Sequence, residues 1–313
     1  MRSKKLLSSF TLVLVALIWG VAFVAQSDAM RYISPFTFNA ARSLIAGVVL
    51  IPISLAMRAS RKRRAEQAGA PADRRTLVIG GVLCGVALAV ASALQQFGVM
   101  HTTVGKAGFI TALYIVIVPL FGIFLKKRPP LFVWIAVAIA VAGMYLLCIN
   151  EGFSIALGDT LVLLCAVGFA VHILVIDSFS PRVDCVMMSM IQFFVCAAIS
   201  AICMFIFEKP DMGAILDAWV PILYAGALSS GAGYTLQIIA QKNTPPTVAS
   251  LIMSLESVFA VLAGWLMLNQ SLSERELIGC VLVFAAIVLA QLPDIRAKRA
   301  NPPHSNSKEA TSA

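Results

Sequence analysis

The sequence predicts an all-α membrane protein of ten transmembrane helices, arranged as two inverted five-helix repeats. Three observations carry this prediction. Hydrophobic residues make up 60% of the 313 residues and charged residues only 12%, which is far too few charges to cover a soluble domain of this size. The apolar residues fall into runs that are long enough to cross a bilayer, and one stretch of the first half of the chain returns in the second half at a fixed distance.

Ten apolar runs have roughly the length needed to cross the hydrocarbon core, about 20 residues. None alternates between apolar and polar residues as the strands of a membrane β-barrel do. Because backbone polar groups in lipid must be hydrogen-bonded within their own segment, each run is interpreted as an α-helix. The runs are Phe10–Ala25, Phe36–Met57, Thr76–Phe97, Val104–Leu125, Leu131–Ile149, Gly158–Ile176, Cys185–Phe207, Trp219–Ala240, Val248–Leu268 and Leu277–Leu292.

The first run follows three basic residues, Arg2, Lys4 and Lys5, as the apolar core of a signal peptide would. Its apolar stretch is longer than such a core usually is, and no small-x-small cleavage site follows it. We therefore interpret it as an uncleaved first helix.

The basic residues predict the orientation of the helices. If the N-terminus is cytoplasmic, 19 of the 24 Lys and Arg residues lie on the cytoplasmic side, with the largest group in or beside the loop 59–75. Because Lys and Arg concentrate in cytoplasmic loops, we predict that both termini are cytoplasmic and that the protein lies in the plasma (cell inner) membrane. The same bias accounts for the net charge of +9, so no nucleic-acid partner is expected.

The stretch from Leu94 to Leu125 recurs 142 residues later. Eight of its 32 positions are identical to the later stretch, including Gln95 with Gln237, and roughly half that number would be expected by chance in such apolar segments. The first helices of each half match at a distance of 150 residues, which aligns Trp19 with Phe169. The chain is therefore predicted to be an internal duplication.

The duplication divides the chain into a first repeat (1–149), a second repeat (150–293) and a disordered polar cytoplasmic tail (294–313). Each repeat contains five predicted helices, and an odd number makes the second repeat enter the membrane in the opposite orientation. Inverted repeats of this kind are typical of secondary transporters, which bind substrate near the midplane between the repeats.

Four short patterns then point to a family: Leu17-Ile18-Trp19-Gly20, Pro35 followed by Phe38 and Arg42, Gly158-Asp159, and Leu255-Glu256-Ser257-Val258-Phe259-Ala260. In this order and spacing, over about Leu12 to Leu292, they resemble the EamA-type transporters of the drug/metabolite transporter superfamily. The resemblance implies a ten-helix, two-repeat secondary carrier, usually an exporter of amino acids, other metabolites or drug-like compounds.

Polar side chains at helical spacing indicate which faces of the helices line the interior of the bundle. In the eighth predicted helix, Ser230, Tyr234, Gln237 and Gln241 are spaced four, three and four residues apart, which places them on one face. For such residues, substrate contact and interhelical hydrogen bonding are both open interpretations. The candidate substrate-binding residues are Trp19, Asn39, Arg42, Gln95, Thr111, Tyr114, Tyr234, Gln237 and Glu256.

Glu256 is the central candidate because it lies near mid-membrane, where an ionised carboxylate costs at least about 2.5 kcal/mol. Three roles are open: it binds a cationic group of the substrate, it carries a proton, or it forms a static pair with Arg42. In the first two roles the proton affinity of Glu256 depends on how close Arg42 or a substrate cation lies, which would link transport to the proton gradient.

Motifs of enzyme and metal sites are missing from the sequence. Its three histidines form no HExxH motif, no GxSxG motif is present, and the seven cysteines have no metal-ligand spacing. We therefore expect no catalytic residues, metal or cofactor. The expected partners are a small-molecule substrate and the lipid bilayer, and a homodimer is compatible with the sequence. The alternative function is a uniporter, exchanger or channel-like facilitator without proton coupling, and an intramembrane enzyme is the least favoured.

Overall fold

The structure is a computed structural model that describes residues 2–57, 74–102, 104–126, 129–148, 156–268 and 273–300. Most of the predicted basic loop (59–73) and residues 301–313 of the predicted tail lie outside the described residues. Residues 294–300 of that tail continue the last helix. The described residues are helices joined by turns and contain no β-strand, as an all-α protein requires.

The helices are numbered in chain order. The segment α11 is a π-helix, and it is continuous in sequence with the α-helical segments on either side. The bounds are α1 Arg2–Ala29, α2 Pro35–Ala56, α3 Arg74–Val99, α4 Val104–Ala112, α5 Tyr114–Phe124, α6 Leu131–Cys148, α7 Leu157–Phe179, α8 Cys185–Phe207, α9 Met212–Asp217, α10 Trp219–Leu223, α11 Tyr224–Tyr234, α12 Thr235–Gln241, α13 Pro246–Met253, α14 Leu255–Leu268 and α15 Glu274–Ala300.

Within the described residues, seven segments are long and apolar enough to cross a membrane: Leu6–Ala29, Pro35–Ala56, Arg74–Val99, Val104–Phe124, Leu157–Phe179, Cys185–Phe207 and Pro246–Met267. The apolar parts of α6 and α15, Leu131–Leu146 and Leu277–Leu289, are shorter. The remaining predicted span is divided among α10, α11 and α12. The protein is therefore a membrane protein with several apolar helices, and the count of ten spans stays a prediction.

The distribution of side chains suits a bilayer. Large apolar side chains cover the outside of the bundle, for example Phe124 at 84% exposure and Phe205 at 73%. Polar side chains such as Gln192 and Gln96 are instead fully buried. This arrangement is favourable where the surrounding medium is as apolar as the side chains that face it.

The two halves of the chain pack through corresponding helices. Helix α2 packs against α8, and α6 packs against α15. In the alignment of the repeats these are equivalent helices, so each contact joins one helix of the first half to its own counterpart. Helices α3 and α7 form another large contact, and α1 packs along α14. Contacts between equivalent helices are what two repeats related by a two-fold axis produce.

Two helix interruptions occur at matching places in the two halves. Helix α4 ends at Ala112 before α5 begins, and α13 ends at Met253 before α14 begins. At both places a tighter three-residue hydrogen bond replaces the α-helical pattern, from Val116 N to Leu113 O at 2.9 Å and from Ser257 N to Ser254 O at 3.1 Å. The repeat alignment pairs Leu113 with residue 255, so the two interruptions agree to within one residue.

Helices α1 and α14 approach very closely at Gly20. A Cβ atom added to Gly20 would collide with Cβ of Phe259 and lie 2.8 Å from both the Glu256 carbonyl oxygen and the Ala260 nitrogen. No larger residue fits there without moving a backbone. The absence of a side chain at residue 20 therefore brings α1 directly against the start of α14, where Glu256 lies.

Candidate functional site

A cavity lies between the two halves of the protein. The cavity and its mouth together enclose about 460 Å³ that no atom occupies, but little of this space is wide enough for a water molecule. A substrate therefore needs the walls to move apart before it can bind. The lining residues are Trp19, Phe23, Gln26, Arg42, Gln95, Thr111, Tyr114, Phe169, His172, Ile173, Ser229, Tyr234, Gln237 and Glu256.

Eight of the nine candidate residues line this cavity, and Asn39 does not. The Asn39 side chain is completely buried, and neither its amide oxygen nor its amide nitrogen has a hydrogen-bond partner among the described residues. Asn39 lies three positions before Arg42 in α2. Three residues correspond to about 300° of rotation, which leaves the two side chains about 60° apart around the helix.

Glu256 is held by Tyr114. The Tyr114 hydroxyl donates a hydrogen bond of 2.9 Å to Oε1 of Glu256, and only 3% of Glu256 is exposed. The two residues are equivalent positions of the two repeats, 142 residues apart. Equivalent positions can touch only close to the axis that relates the halves, so Glu256 lies at the centre of the bundle.

The start of α14 favours a negative charge at Glu256. Glu256 lies in the first turn of α14, directly after the interruption at Ser254. The first backbone N–H groups of a helix have no partner within that helix, and the helix dipole is positive at this end. The interruption therefore places a positive helix end in the middle of the bundle, at the residue that carries the carboxylate.

Arg42 is the cation of the cavity. It is 4% exposed, and its guanidinium carbon lies 5.3 Å from the centre of the Phe38 ring. Among the described residues, no carboxylate lies within 4.0 Å of the Arg42 guanidinium, so the static pair with Glu256 is not present. Tyr234 lies within electrostatic range of both charges. Arg42 and Glu256 thus face one cavity without neutralising each other directly.

Trp19 and Tyr234 form an aromatic wall. Their ring centres are 4.6 Å apart with the rings tilted by 48°, and Tyr234 makes edge contacts of 5.7 Å with both His172 and Phe193. The Trp19 indole donates a hydrogen bond of 3.1 Å to the Ser229 carbonyl oxygen, which fixes the orientation of the ring.

The π-helix α11 changes which residues of this segment reach the cavity. The spacing of an α-helix predicted a stripe that included Ser230, but Ser229 lines the cavity instead, together with Tyr234 and Gln237. A π-helix forms hydrogen bonds between residues five apart and has more residues per turn than an α-helix, so its faces differ from those that the α-helical spacing predicts. Gly233 permits this arrangement, because a Cβ atom there would lie 2.8 Å from Nε1 of Trp19.

Amide side chains add hydrogen-bond acceptors. Nε2 of Gln95 donates to Oγ1 of Thr111 at 3.3 Å. Gln26 and Gln237 line the cavity, and their side-chain oxygens are buried without a hydrogen-bond partner among the described residues. A buried acceptor without a donor is costly, so these oxygens favour a ligand or water that can donate hydrogen bonds.

Six lining residues were absent from the candidates: Phe23, Gln26, Phe169, His172, Ile173 and Ser229. The repeat alignment contained a signal for two of them, since Phe169 aligns with Trp19 and Ile173 with Phe23. His172 is held by Gln192, with 3.1 Å between Nε2 and Oε1. In the part of the chain that the structure describes, no group of three His, Cys, Asp or Glu residues is placed to hold a metal ion.

Comparison with known proteins identifies a family and two similar proteins that help to interpret this chain. The sequence profile of the EamA-like transporter family matches residues 6–149 and 156–292. An uncharacterized transporter of Archaeoglobus fulgidus is 28% identical over 296 residues, which cover 92% of this chain and 87% of that protein. A protein of known crystal structure is similar in fold, with a TM-score of 0.76 and 21% sequence identity, covering 95% of this chain and 100% of that one. At this low sequence identity, the structural similarity supports the fold alone.

Proposed function

The chain belongs to the EamA-like transporter family, and we propose that it is a secondary transporter that exports a small metabolite, amino acid or drug-like compound by alternating access. The family profile matches once in each half of the chain, in agreement with two five-helix repeats. Ten membrane-spanning helices, both termini in the cytoplasm and a place in the cell membrane complete the proposal, supported by the apolar runs and the bias of the basic residues.

The two unpaired charges in the cavity carry the substrate part of this proposal. A buried charge without a partner is costly in an apolar interior, and Arg42 and Glu256 lack each other as partners. A small molecule with one acidic and one basic group would pair with both. Such a molecule fits the chemistry of the cavity better than one with a single charge, which would leave the other side chain unpaired.

Alternating access is supported by the architecture around the site. The cavity is too narrow for a substrate as it stands, and it lies where both halves of the protein meet. The interruptions between α4 and α5 and between α13 and α14 give each half one interrupted helix beside the cavity. Transporters built from inverted repeats open to either side by moving one repeat or bundle against the other around a site of this kind.

Glu256 is the group we propose for proton coupling. It releases its proton when the basic group of a substrate arrives and takes up a proton when the substrate leaves. In both states the buried site then carries no uncompensated negative charge, which is the arrangement of lowest cost in an apolar medium. Substrate and proton thus compete for one carboxylate, and flux of one becomes linked to flux of the other.

Glu256→Gln tests this proposal, because it keeps the shape of the side chain and removes its titration. We expect normal insertion into the membrane, with transport lost or no longer dependent on pH. Uptake of a panel of labelled amino acids and amines into proteoliposomes at several pH values measures this. Asp217→Asn, which removes an exposed carboxylate at the end of α9, is the control and should transport normally. Normal, equally pH-dependent transport by Glu256→Gln would rule out the coupling role.

The alternative without proton coupling predicts a different result in the same vesicles. A uniporter or exchanger would show saturable flux that does not move protons, and a channel-like facilitator would show flux that does not saturate with concentration. Measuring the concentration dependence together with the internal pH of the vesicles separates these three cases.

A further inference from the structure

An ion pair joins the two halves of the protein at one end of the bundle, where α4 and α7 begin. Nζ of Lys106 lies 2.6 Å from Oδ2 of Asp159, and the Thr102 hydroxyl donates to Oδ1 of Asp159 at 2.7 Å. The Ala156 backbone N–H also donates to Oδ2 at 2.8 Å, so Asp159 caps α7 as well. The side chains of Lys106 and Asp159 are only 18% and 4% exposed, which shields the pair from water.

The backbone is tightly packed around this ion pair. A Cβ atom on Gly158 would lie 2.8 Å from the backbone of His101, and one on Gly98 would lie 3.0 Å from the Gly158 carbonyl oxygen. The turn that precedes α4 therefore rests directly on the start of α7. Thr111, which lines the cavity, follows Lys106 by five residues, or about 7.5 Å along the helix. The ion pair thus lies just beyond the cavity on the way to this end of the bundle.

The equivalent contact at the other end of the bundle lacks these charges. The repeat alignment pairs Lys106 with Val248 and Asp159 with Ser9. Helix α1 packs against α13 there, as α7 packs against α4. A protein whose halves are related by a two-fold axis has two equivalent contacts that can close its cavity, one at each end. In this chain the residues at the equivalent positions form an ion pair at one end, Lys106 with Asp159, and are uncharged at the other end.

We propose that Lys106 and Asp159 form a gate that keeps the cavity closed at this end. The closed state at this end is stabilised by the ion pair. At the other end the equivalent positions are Ser9 and Val248, which cannot form an ion pair with each other, and that end opens more readily. With the proposed topology the gated end is extracytoplasmic, so the resting protein takes up its substrate from the cytoplasm. This inference rests on the proposed transporter function and adds two gating residues to it.

Lys106→Met tests the gate, because it removes the ion pair while leaving the bonds from Thr102 and Ala156 that cap α7. Lys106→Arg keeps the charge and should behave as the parent does. Val248→Met introduces the same side chain at the equivalent position of the other end and is the matched control. If Lys106→Met is not inserted into the membrane, Lys106→Gln replaces it as the variant without charge.

Access to the cavity is measured with a single cysteine, introduced by Gln26→Cys after replacement of the native cysteines. Intact cells are treated with a membrane-impermeant methanethiosulfonate reagent, and the labelling rate is compared between variants. Tyr32→Cys, in the turn between α1 and α2, gives the reference rate, because Tyr32 is 47% exposed at the same end as Lys106. If the reference position is not labelled from outside, the same comparison is made in inside-out vesicles.

We expect Lys106→Met to raise the labelling rate at position 26 at least about fivefold, which is the upper end of the range for exposed ion pairs, because this pair is largely shielded from water. Lys106→Arg and Val248→Met should leave the rate unchanged. Equal rates for Met and Arg at position 106, or an equal increase from Val248→Met, would overturn the gate. Because the measurement reports access and not transport, such a result leaves the proposed transport function standing.

Discussion

A carboxylate in the middle of a membrane protein needs specific support, and Glu256 has two forms of it. Tyr114 donates a hydrogen bond to Oε1, and Glu256 lies in the first turn of α14, at the positive end of the helix dipole. Neither is a full positive charge, so both lower the cost of the ionised form without fixing it. A carboxylate supported in this way can exchange a proton for the basic group of a substrate. A carboxylate in an ion pair with an arginine would first have to break that pair, at a high cost in free energy.

Tyr114→Phe should weaken substrate transport while leaving the protein folded. The change removes the hydroxyl that donates to Glu256 and leaves Oε1 with one bond fewer, at a cost of about 1 kcal/mol, or about fivefold in KM. Transport kinetics in proteoliposomes measure the effect. Tyr224→Phe is the matched control, because it removes a comparable bond to the Ile18 carbonyl oxygen outside the cavity lining. Equal effects of the two changes on KM would contradict a specific role for Tyr114.

Arg42→Gln should lower affinity without lowering stability. Gln is the residue at the equivalent position of the second repeat, Gln192, so the change makes the two halves alike there. Since no carboxylate of the described residues pairs with Arg42, its removal leaves no buried anion unpaired. We expect affinity for substrates with an acidic group to fall tenfold or more, by about 1.4 kcal/mol, and affinity for simple amines to stay unchanged. Competition assays with matched amines and amino acids measure this, and an equal loss for both would contradict the role of Arg42.

At the scale of whole helices, close packing and helix interruptions place the charges. Gly20 lets α1 rest on the first turn of α14, and the interruption at Ser254 creates that first turn in the middle of the bundle. The hydroxyl groups of Ser254 and Ser257 donate to the carbonyl oxygens of Leu251 and Ser254, at 2.7 and 2.8 Å. Serine side chains that bond back to the helix backbone are a known cause of such bends.

Gly20→Ala should destabilise the protein because of the collision at α14. A Cβ atom at residue 20 forces the backbones apart, and overpacking of this kind costs about 1 to 3 kcal/mol. Gly105→Ala is the control, because nothing lies within 4 Å of a Cβ atom at that position. Thermal unfolding of the two variants in the same detergent measures the difference. An unfolding midpoint for Gly20→Ala at or above that of Gly105→Ala would contradict the close packing of α1 on α14.

Helical spacing predicted most of the cavity because a polar side chain in an apolar helix must face the interior. This rule accounts for Arg42 and Gln95, whereas Trp19 belongs to a pattern that resembles the EamA-type family, and the repeat register aligns Tyr114 with Glu256. The same reasoning included Asn39, which is buried about 60° around α2 from Arg42 and does not line the cavity. It also favoured Ser230 over Ser229, because the conversion of residues 224–234 to a π-helix depends on packing against other helices and leaves no periodic signal in the sequence.

At the scale of the whole molecule, the two halves pack through equivalent helices but carry different side chains at equivalent positions. Equivalent positions of the two repeats line one cavity, but their residues differ: Trp19 aligns with Phe169, and Tyr114 aligns with Glu256. The duplication could be predicted because identical residues persist where helices meet. The different roles of equivalent residues could not be predicted, because they depend on which residue of each aligned pair reaches the cavity and on which side chain it contacts there. Gln95 and Gln237 are identical, yet one donates to Thr111 and the other leaves its oxygen unpaired.

The orientation in the membrane is the prediction that belongs to the whole molecule. Moving the 19 basic residues of one side across an apolar core is costly for each charge, so their distribution selects the orientation during insertion. A single cysteine at position 66, in the basic loop, should be labelled by an impermeant reagent only after the cells are opened. A single cysteine at position 32, in the turn between α1 and α2, should be labelled in intact cells. The opposite pattern would reverse the topology and place the Lys106 gate on the cytoplasmic side, and labelling of both positions in intact cells would contradict an odd number of spans between them.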